Sequence, residues 1–410
     1  MSATLEPPQT IEPTSALLDG EPQSPLARLS AEQLDALGRE LDAIHDEVFA
    51  ELGERDSRYI RNTIRLHRQL VLGSRLLLLG SRRRELSVLG SAALSVAKIL
   101  ENMEIGHNVM HGQWDWMNDP DINSQNWDWD TASPADAWRH SHNYEHHTFT
   151  NIRGKDRDLG YEIMRIDPHQ KWHPVYLLQP FYNLLLMGFF EWGVALHDMN
   201  FEAIRSGEKS KRQAREELKA IGLKARRQIV KDYIAFPALS AAANAALAGV
   251  RGGQVSRADA ARDAFKSTLK ANFSSNIVRN LWAYSIIFCG HFPDQTYTFS
   301  EDEVAEESRG GWYVRQLLGA ANIDGSAPFH FLSGNLSFQV EHHLFPDMPS
   351  SRYVEVAARV KDVCERYGLP YNTGPFRKQL GTVHRTILRL AFPGGKVRAK
   401  PGPYEGGTAG

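Results

Sequence analysis

Three short stretches, GHNVMHGQ, HNYEHH and QVEHHLFP, carry seven of the chain's 16 histidines. A buried neutral imidazole needs a partner for each ring nitrogen, and crowded imidazolium rings repel one another. Within each stretch the rings lie three or four residues apart or adjacent, so on a helix each stretch can aim two or three of them at one point. His107 and His111 form the first group. His142, His146 and His147 form the second, and Gln339, His342 and His343 the third. Each group lies beside an apolar segment or a helical stretch, where uncompensated imidazoles would be costly. A fold that brings the three together around metal ions removes that cost, and this constrains the chain more than any other feature.

The donor set is rich in nitrogen and lacks thiolate, which suits Zn, Cu, Fe or Ni. Two or three ligands from each of three segments exceed the four places around one zinc, so the count favours two metal ions. Cys289 and Cys364 lie far apart and match neither a thiolate site nor a disulfide framework. A net charge of −2 argues against a nucleic-acid partner.

Residues 1–28 are Pro-rich and acidic, with no apolar period and no signal-peptide core, and read as a disordered cytoplasmic tail. Ser30 and Gln33 form a capping box, and Leu34, Leu37, Leu41 and Ile44 recur at helical spacing. An amphipathic helix over 29–58 is expected. Apolar stretches follow at 68–80, 86–106, 174–199, 233–250 and 276–292. A bilayer span needs about 20 predominantly apolar residues, and several of these are short or interrupted. Hydropathy alone also allows buried helices of a soluble protein.

The pattern H-x3-H, H-x3-HH, Q-x2-HH resembles the three histidine boxes of membrane fatty acid desaturases. The texts AKILENMEIGHNVMHGQWDWMNDP, WRHSHNYEHHTFTN and GNLSFQVEHHLFPDMPS resemble bacterial acyl-CoA or acyl-lipid desaturases of the linoleoyl-CoA desaturase type. The resemblance implies an all-α integral membrane bundle of about four transmembrane helices, with a cytoplasmic helical cap holding a histidine-rich diiron site. The desaturase domain would span 59–395, followed by a flexible tail at 396–410. Two non-haem irons with O2 as co-substrate would remove two hydrogens from an acyl-CoA or acyl-lipid, leaving a cis double bond. Hydroxylation or acetylenation by the same superfamily is the alternative, and a membrane metal-binding protein a more distant one.

Residue by residue, the resemblance makes His107, His111, His142, His146, His147, His342 and His343 metal ligands. His291, at the end of the last apolar stretch, becomes a further one. Gln339 stands where some relatives carry another histidine and is read as a weak ligand or a support for one. Glu104 and Glu341 are read as carboxylates that accept the free N–H of ligating imidazoles. His173 and His197, near the ends of 174–199, are secondary candidates, and His140 is a bystander.

All boxes must reach one centre, so the chain between them crosses the membrane an even number of times. Three apolar stretches separate the second box from the third. The aromatic-rich 174–199 is therefore expected to lie in the bilayer interface of the bacterial plasma membrane, leaving the Lys/Arg-rich 205–231 segment and the site cytoplasmic. Arg82–Arg84 then face outward, against the positive-inside rule, and Arg75 sits inside an apolar stretch. No His-Pro-Gly-Gly haem motif occurs, so electrons are expected from a separate reductase or ferredoxin-like donor.

Two other metal chemistries fit poorly. A soluble carboxylate diiron bundle needs two Glu-x-x-His motifs, and only Glu104–His107 fits. A zinc hydrolase of the H-E-x-x-H type lacks its motif.

Overall fold

The computed structural model describes residues 29–250 and 255–394. The tails expected at 1–28 and 396–410 thus lie outside the described residues. Helix α1 (Ala31–Ala50) starts at the capping box: Ser30 Oγ accepts from the Gln33 amide at 3.3 Å, and the Ser30 amide donates to Gln33 Oε1 at 2.9 Å. Its Leu37, Leu41, Ile44 and Val48 are buried. The helix stops at Ala50, short of residue 58, because a break at 51–53 admits a second helix, α2 (Glu54–Leu79). The apolar stretch at 68–80 is only the last part of α2.

After a turn at 80–83 comes α3 (Arg84–Met110), which contains a π-helical turn over Glu101–His107. A second π turn, Arg139–His146, lies within α4, residues 135–149. The 174–199 stretch is broken into the short helices α5 (Gln179–Gly188) and α6 (Phe190–His197). Helix α7, residues 211–250, runs from a basic first half through a π turn, Val230–Ala235, into an apolar second half. Helix α8 (Arg257–His291) packs against it and ends on His291.

The remaining elements form a cap: α9 (Arg309–Gly319), strand β1 (Asn322–Asp324), α10 (Gln339–Leu344), α11 (Tyr353–Tyr367), strand β2 (Thr373–Pro375) and α12 (Phe376–Leu390). The two strands pair in parallel, Asn322 opposite Thr373, a small departure from an all-helical chain. Leu37 and Leu41 of α1 join Leu317, Val340, Tyr353 and Val356 in a conventional apolar core.

Helices α2, α3, α7 and α8 pack on one another with polarity reversed. Outward-facing side chains are apolar: Leu72 is 63% exposed, Val88 59%, Leu239 56% and Phe273 50%. The interior holds Lys98, Asp232, Thr268, Asn272, Ser275 and Asn276. At its centre, Asp232 of the α7 π turn accepts from Lys98 Nζ of α3 at 2.8 Å and from Arg75 Nη2 of α2 at 3.1 Å. Asn272 of α8 bonds both the Asp232 carbonyl and Arg75. This resolves the charge at Arg75: it is paired inside the bundle, with its guanidinium 3.6 Å from the Phe236 ring centre.

Among the described residues one helix, α3, is long and apolar enough by composition to cross a membrane. The other three long helices miss that criterion for local reasons. α2 carries arginines through most of its length, the apolar half of α7 has 15 residues, and α8 begins with a charged segment.

Asp232→Ala is expected to destabilise the protein by about 3–5 kcal/mol, since it leaves two buried cations uncompensated. Asp35→Ala in the exposed pair with Arg39 is expected to change stability by no more than about 0.5 kcal/mol. Thermal unfolding midpoints of the two variants in one detergent check the contrast.

Candidate metal centre

The histidines arrive from the ends of four helical segments. His107 and His111 stand at the C-terminal end of α3, His142, His146 and His147 in α4, His291 at the last position of α8, and His342 and His343 in α10. Two of the three π turns among the described residues lie directly on histidine segments, and the extra residue in such a turn re-aims the side chains that follow. Gly290 lets α10 approach α8: a Cβ there would lie 2.8 Å from Gln339 Cγ.

Two groups result. His107, His111, His142 and His342 place ring nitrogens within 4.8 Å of one another, and His146, His291 and His343 do the same. His147 lies between them, its ring centre 4.6 Å from His343, 4.8 Å from His111 and 4.9 Å from His342. All eight predicted histidines therefore converge. His140 points away and is 68% exposed, 3.4 Å from Glu145. His173 caps the short turn Pro174–Leu178, far from any such role.

The second group fixes its own chemistry. His146 Nδ1 lies 3.0 Å from the Asp156 carboxylate, His291 Nδ1 2.7 Å from the Ile287 carbonyl, and His343 Nδ1 3.0 Å from Gln316 Oε1. Gln316 Nε2 donates to the His147 carbonyl, so it is the oxygen that faces His343. All three partners are acceptors, so each ring carries its proton on Nδ1 and bares a lone pair at Nε2. Those Nε2 atoms meet at 3.0 Å (His146 to His291) and 2.9 Å (His291 to His343). One proton could relieve only one of these contacts. A cation relieves both, since nitrogens about 2.0–2.1 Å from a metal lie about 3 Å apart at right-angle coordination.

The first group follows the same rule. His107 Nδ1 lies 2.9 Å from Asn108 Oδ1, whose amide nitrogen donates to the Glu104 and Gly334 carbonyls. His142 Nδ1 lies 3.3 Å from Asp158, and His342 Nδ1 3.1 Å from the Tyr353 hydroxyl, which itself donates to the Phe345 carbonyl. Nε2 of His111, His142 and His342 and both ring nitrogens of His147 are buried without a hydrogen-bond partner. Burial, and then the neighbouring imidazoles, hold His111, His147, His342 and His343 well below the ordinary imidazole range. Burial likewise lowers His142, whereas at His146 it is outweighed by the Asp156 carboxylate, and the ring is raised. Orphaned lone pairs on neutral rings are a donor set that a divalent metal completes.

Two expectations need correction. Glu104 accepts from Tyr59, Asn335 and Ser350, and Glu341 from Tyr371 and Asn322; neither carboxylate bonds a histidine. Both carboxylates turn to donors on neighbouring elements, among them Tyr59 of α2 for Glu104 and Asn322 of β1 for Glu341. The carboxylates that do support the rings are Asp156 and Asp158, in the loop after α4. His197 lies outside both groups and bonds Asp158 instead, Nε2 to Oδ1 at 2.9 Å. Gln339 is beside the second group, its Nε2 3.5 Å from His291 Nε2 and its Oε1 buried without a partner. Asn108 directly follows the ring it holds, whereas Asp156, Asp158, Gln316 and Tyr353 follow no helical period relative to theirs, so only nearness in space reveals them.

An apolar cavity adjoins the centre, lined by His107, His142 and His291 and by Trp129, Phe190 and Val194.

A sequence model of fatty acid desaturases matches residues 86–375. The chain belongs to the fatty acid desaturase family. It is 45% identical over 367 residues to the NADPH-dependent stearoyl-CoA 9-desaturase of Mycobacterium tuberculosis, covering 90% of this chain and 82% of that protein. The sn-1 linoleoyl-lipid 6-desaturase of Synechocystis sp. is 25% identical over 319 residues, or 73% of this chain and 79% of that protein. Human fatty acid desaturase 3 is 33% identical over 113 residues, covering 28% of this chain and 24% of that protein. No solved structure matches the chain significantly. This desaturase is thus an enzyme that introduces a double bond into a fatty acyl chain.

Removing the acceptor for one ring tests the ligand geometry. Gln316→Leu is expected to weaken metal binding at the His146, His291 and His343 group by about 10–100-fold. Metal retained per chain after dialysis against a graded chelator measures it.

Proposed function

We propose that this desaturase acts on a long-chain saturated acyl-CoA, at two non-haem iron ions, from within a membrane. The observation that carries the reading is the pair of converging imidazole groups beside an apolar cavity. His107, His111, His142 and His342 would hold one ion and His146, His291 and His343 the other, with His147 between them and Gln339 beside His291. When bound, the irons supply the O2-dependent oxidising power that unactivated methylene C–H bonds require and side-chain acids and bases lack.

The chain's own residues do the rest. Asp156, Asp158, Gln316, Asn108, Tyr353 and the Ile287 carbonyl keep the ring protons on Nδ1, leaving Nε2 free at the centre. The cavity walls exclude water and align an extended alkyl chain past His107 and His142. Two hydrogens leave adjacent carbons and O2 is reduced to two waters, with two further electrons from a donor and two protons from solvent. The likeness to the NADPH-dependent stearoyl-CoA 9-desaturase of M. tuberculosis supports stearoyl-CoA as substrate, carbon 9 as position and NADPH as electron source.

The reversed polarity of the four-helix bundle supports four membrane-spanning segments, since apolar groups face outward and charge is confined inside. In successive order α2, α3, α7 and α8 alternate in direction, so the histidine ends of α3 and α8 share a side with the basic start of α7. That side would be cytoplasmic by the positive-inside rule. The outward Phe181 and Leu184 of the broken α5–α6 segment, each 63% exposed, support an interfacial seat for it.

Expression in a host followed by mass spectrometry of fatty acid methyl esters tests the activity: the wild type should add a double bond to C18 acyl chains and His343→Ala should add none. Unchanged ester profiles, or hydroxylated products, would contradict the reading. Val194→Trp, which fills the cavity, is expected to lower kcat/KM at least about 10-fold, or ~1.4 kcal/mol in transition-state binding, with metal content unchanged.

A further inference from the structure

The two carboxylates that reach the histidines come from one loop and do different work. Asp156 serves a single group: it accepts from His146 Nδ1 at 3.0 Å, and its remaining bonds go to the Asn151 and Asp158 amides at 2.6 and 3.0 Å. Asp158 faces both. Its Oδ2 lies 3.3 Å from Nδ1 of His142, in the first group, and 3.8 Å from Nδ1 of His146, in the second. Its Oδ1 accepts from His197 Nε2 at 2.9 Å. The His197 side chain is only 4% exposed, and Asp158 and His197 both line the apolar cavity.

We propose that Asp158 is a positioning residue shared by the two metal-binding groups, tying one ligand of each into a single unit, and that His197 holds it in place. The proposal rests on the two-metal reading. Neutral imidazoles bring no charge to a site that takes up two cations, so the nearest negative charges carry unusual weight in low dielectric. Its carboxylate bonds the His142 ring and places a negative charge 3.8 Å from Nδ1 of His146, the ring that Asp156 orients, so loading of one metal acts on a ligand of the other. Cooperative loading is the consequence. His197 matters because its N–H fixes the far oxygen of Asp158 where cavity water or substrate would otherwise compete.

Anaerobic titration of iron(II) into metal-free, full-length enzyme in detergent tests this, read by iron per chain, Mössbauer parameters and the unfolding midpoint of the metal-free form. Wild type should load two irons with no one-iron plateau. Asp158→Asn should bind both about 10–100-fold more weakly and load them in separate steps. Asp156→Asn should weaken one iron and leave the other tight. His197→Ala should behave like Asp158→Asn, whereas His197→Gln, which keeps an N–H donor, should restore wild-type loading. Asp158→Asn with two tightly bound irons and wild-type Mössbauer parameters would overturn the proposal. So would loss of a single iron by that variant, or a lowered metal-free midpoint that His197→Gln shares. A wild type that saturates at one iron would refute the two-metal reading itself, and this proposal with it.

Discussion

Three imidazole lone pairs face one another at hydrogen-bonding distance with no proton free to sit between them all. That clash among His146, His291 and His343 is the constraint on which the site depends, because a carboxylate, a main-chain carbonyl and an amide oxygen already claim the other side of each ring. A bound metal would convert this repulsion into coordination. The same logic explains the orphaned nitrogens of His111, His142, His147 and His342, which would be a heavy desolvation cost in a protein that bound nothing there.

Bringing those rings together requires rigid delivery from distant parts of the chain. The bundle supplies it through a second buried polar cluster, in which Asp232 links Arg75 and Lys98 while Asn272 closes the ring from α8. Four helices are thereby fixed in register, and two of them, α3 and α8, end on histidines of the site. The cap adds His342 and His343 through α10, held by the apolar core it shares with α1 and α11. Charge inside and aliphatic side chains outside is the arrangement that a bilayer favours, since lipid removes the reason to bury Leu72 or Leu239 and raises the penalty for exposing Asp232.

Much of this was legible beforehand, for identifiable reasons. Histidine spacing reports local geometry, so seven ring-bearing positions follow from it, while His291 follows from the family resemblance, and the capping box at Ser30 marks the start of α1. The supporting shell was not legible. Glu104 and Glu341 are close to the boxes only in sequence, whereas Asp156, Asp158 and Gln316 reach the rings through loops and a separate helix whose placement no period encodes. Arg75 looked anomalous in an apolar stretch because its partner, Asp232, lies more than 150 residues away. The end of α1 at Ala50 is hidden in the sequence because the polar start of α2 carries the helical pattern onward past a short break.

The most direct test of the two-metal account is anomalous diffraction at the iron edge from crystals of anaerobically purified enzyme. It should give two peaks per chain, one enclosed by His107, His111, His142 and His342 and the other by His146, His291 and His343. A single peak, a zinc signal in both places, or density on the Nδ1 side of the rings beside Asp156 and Asp158 would contradict it.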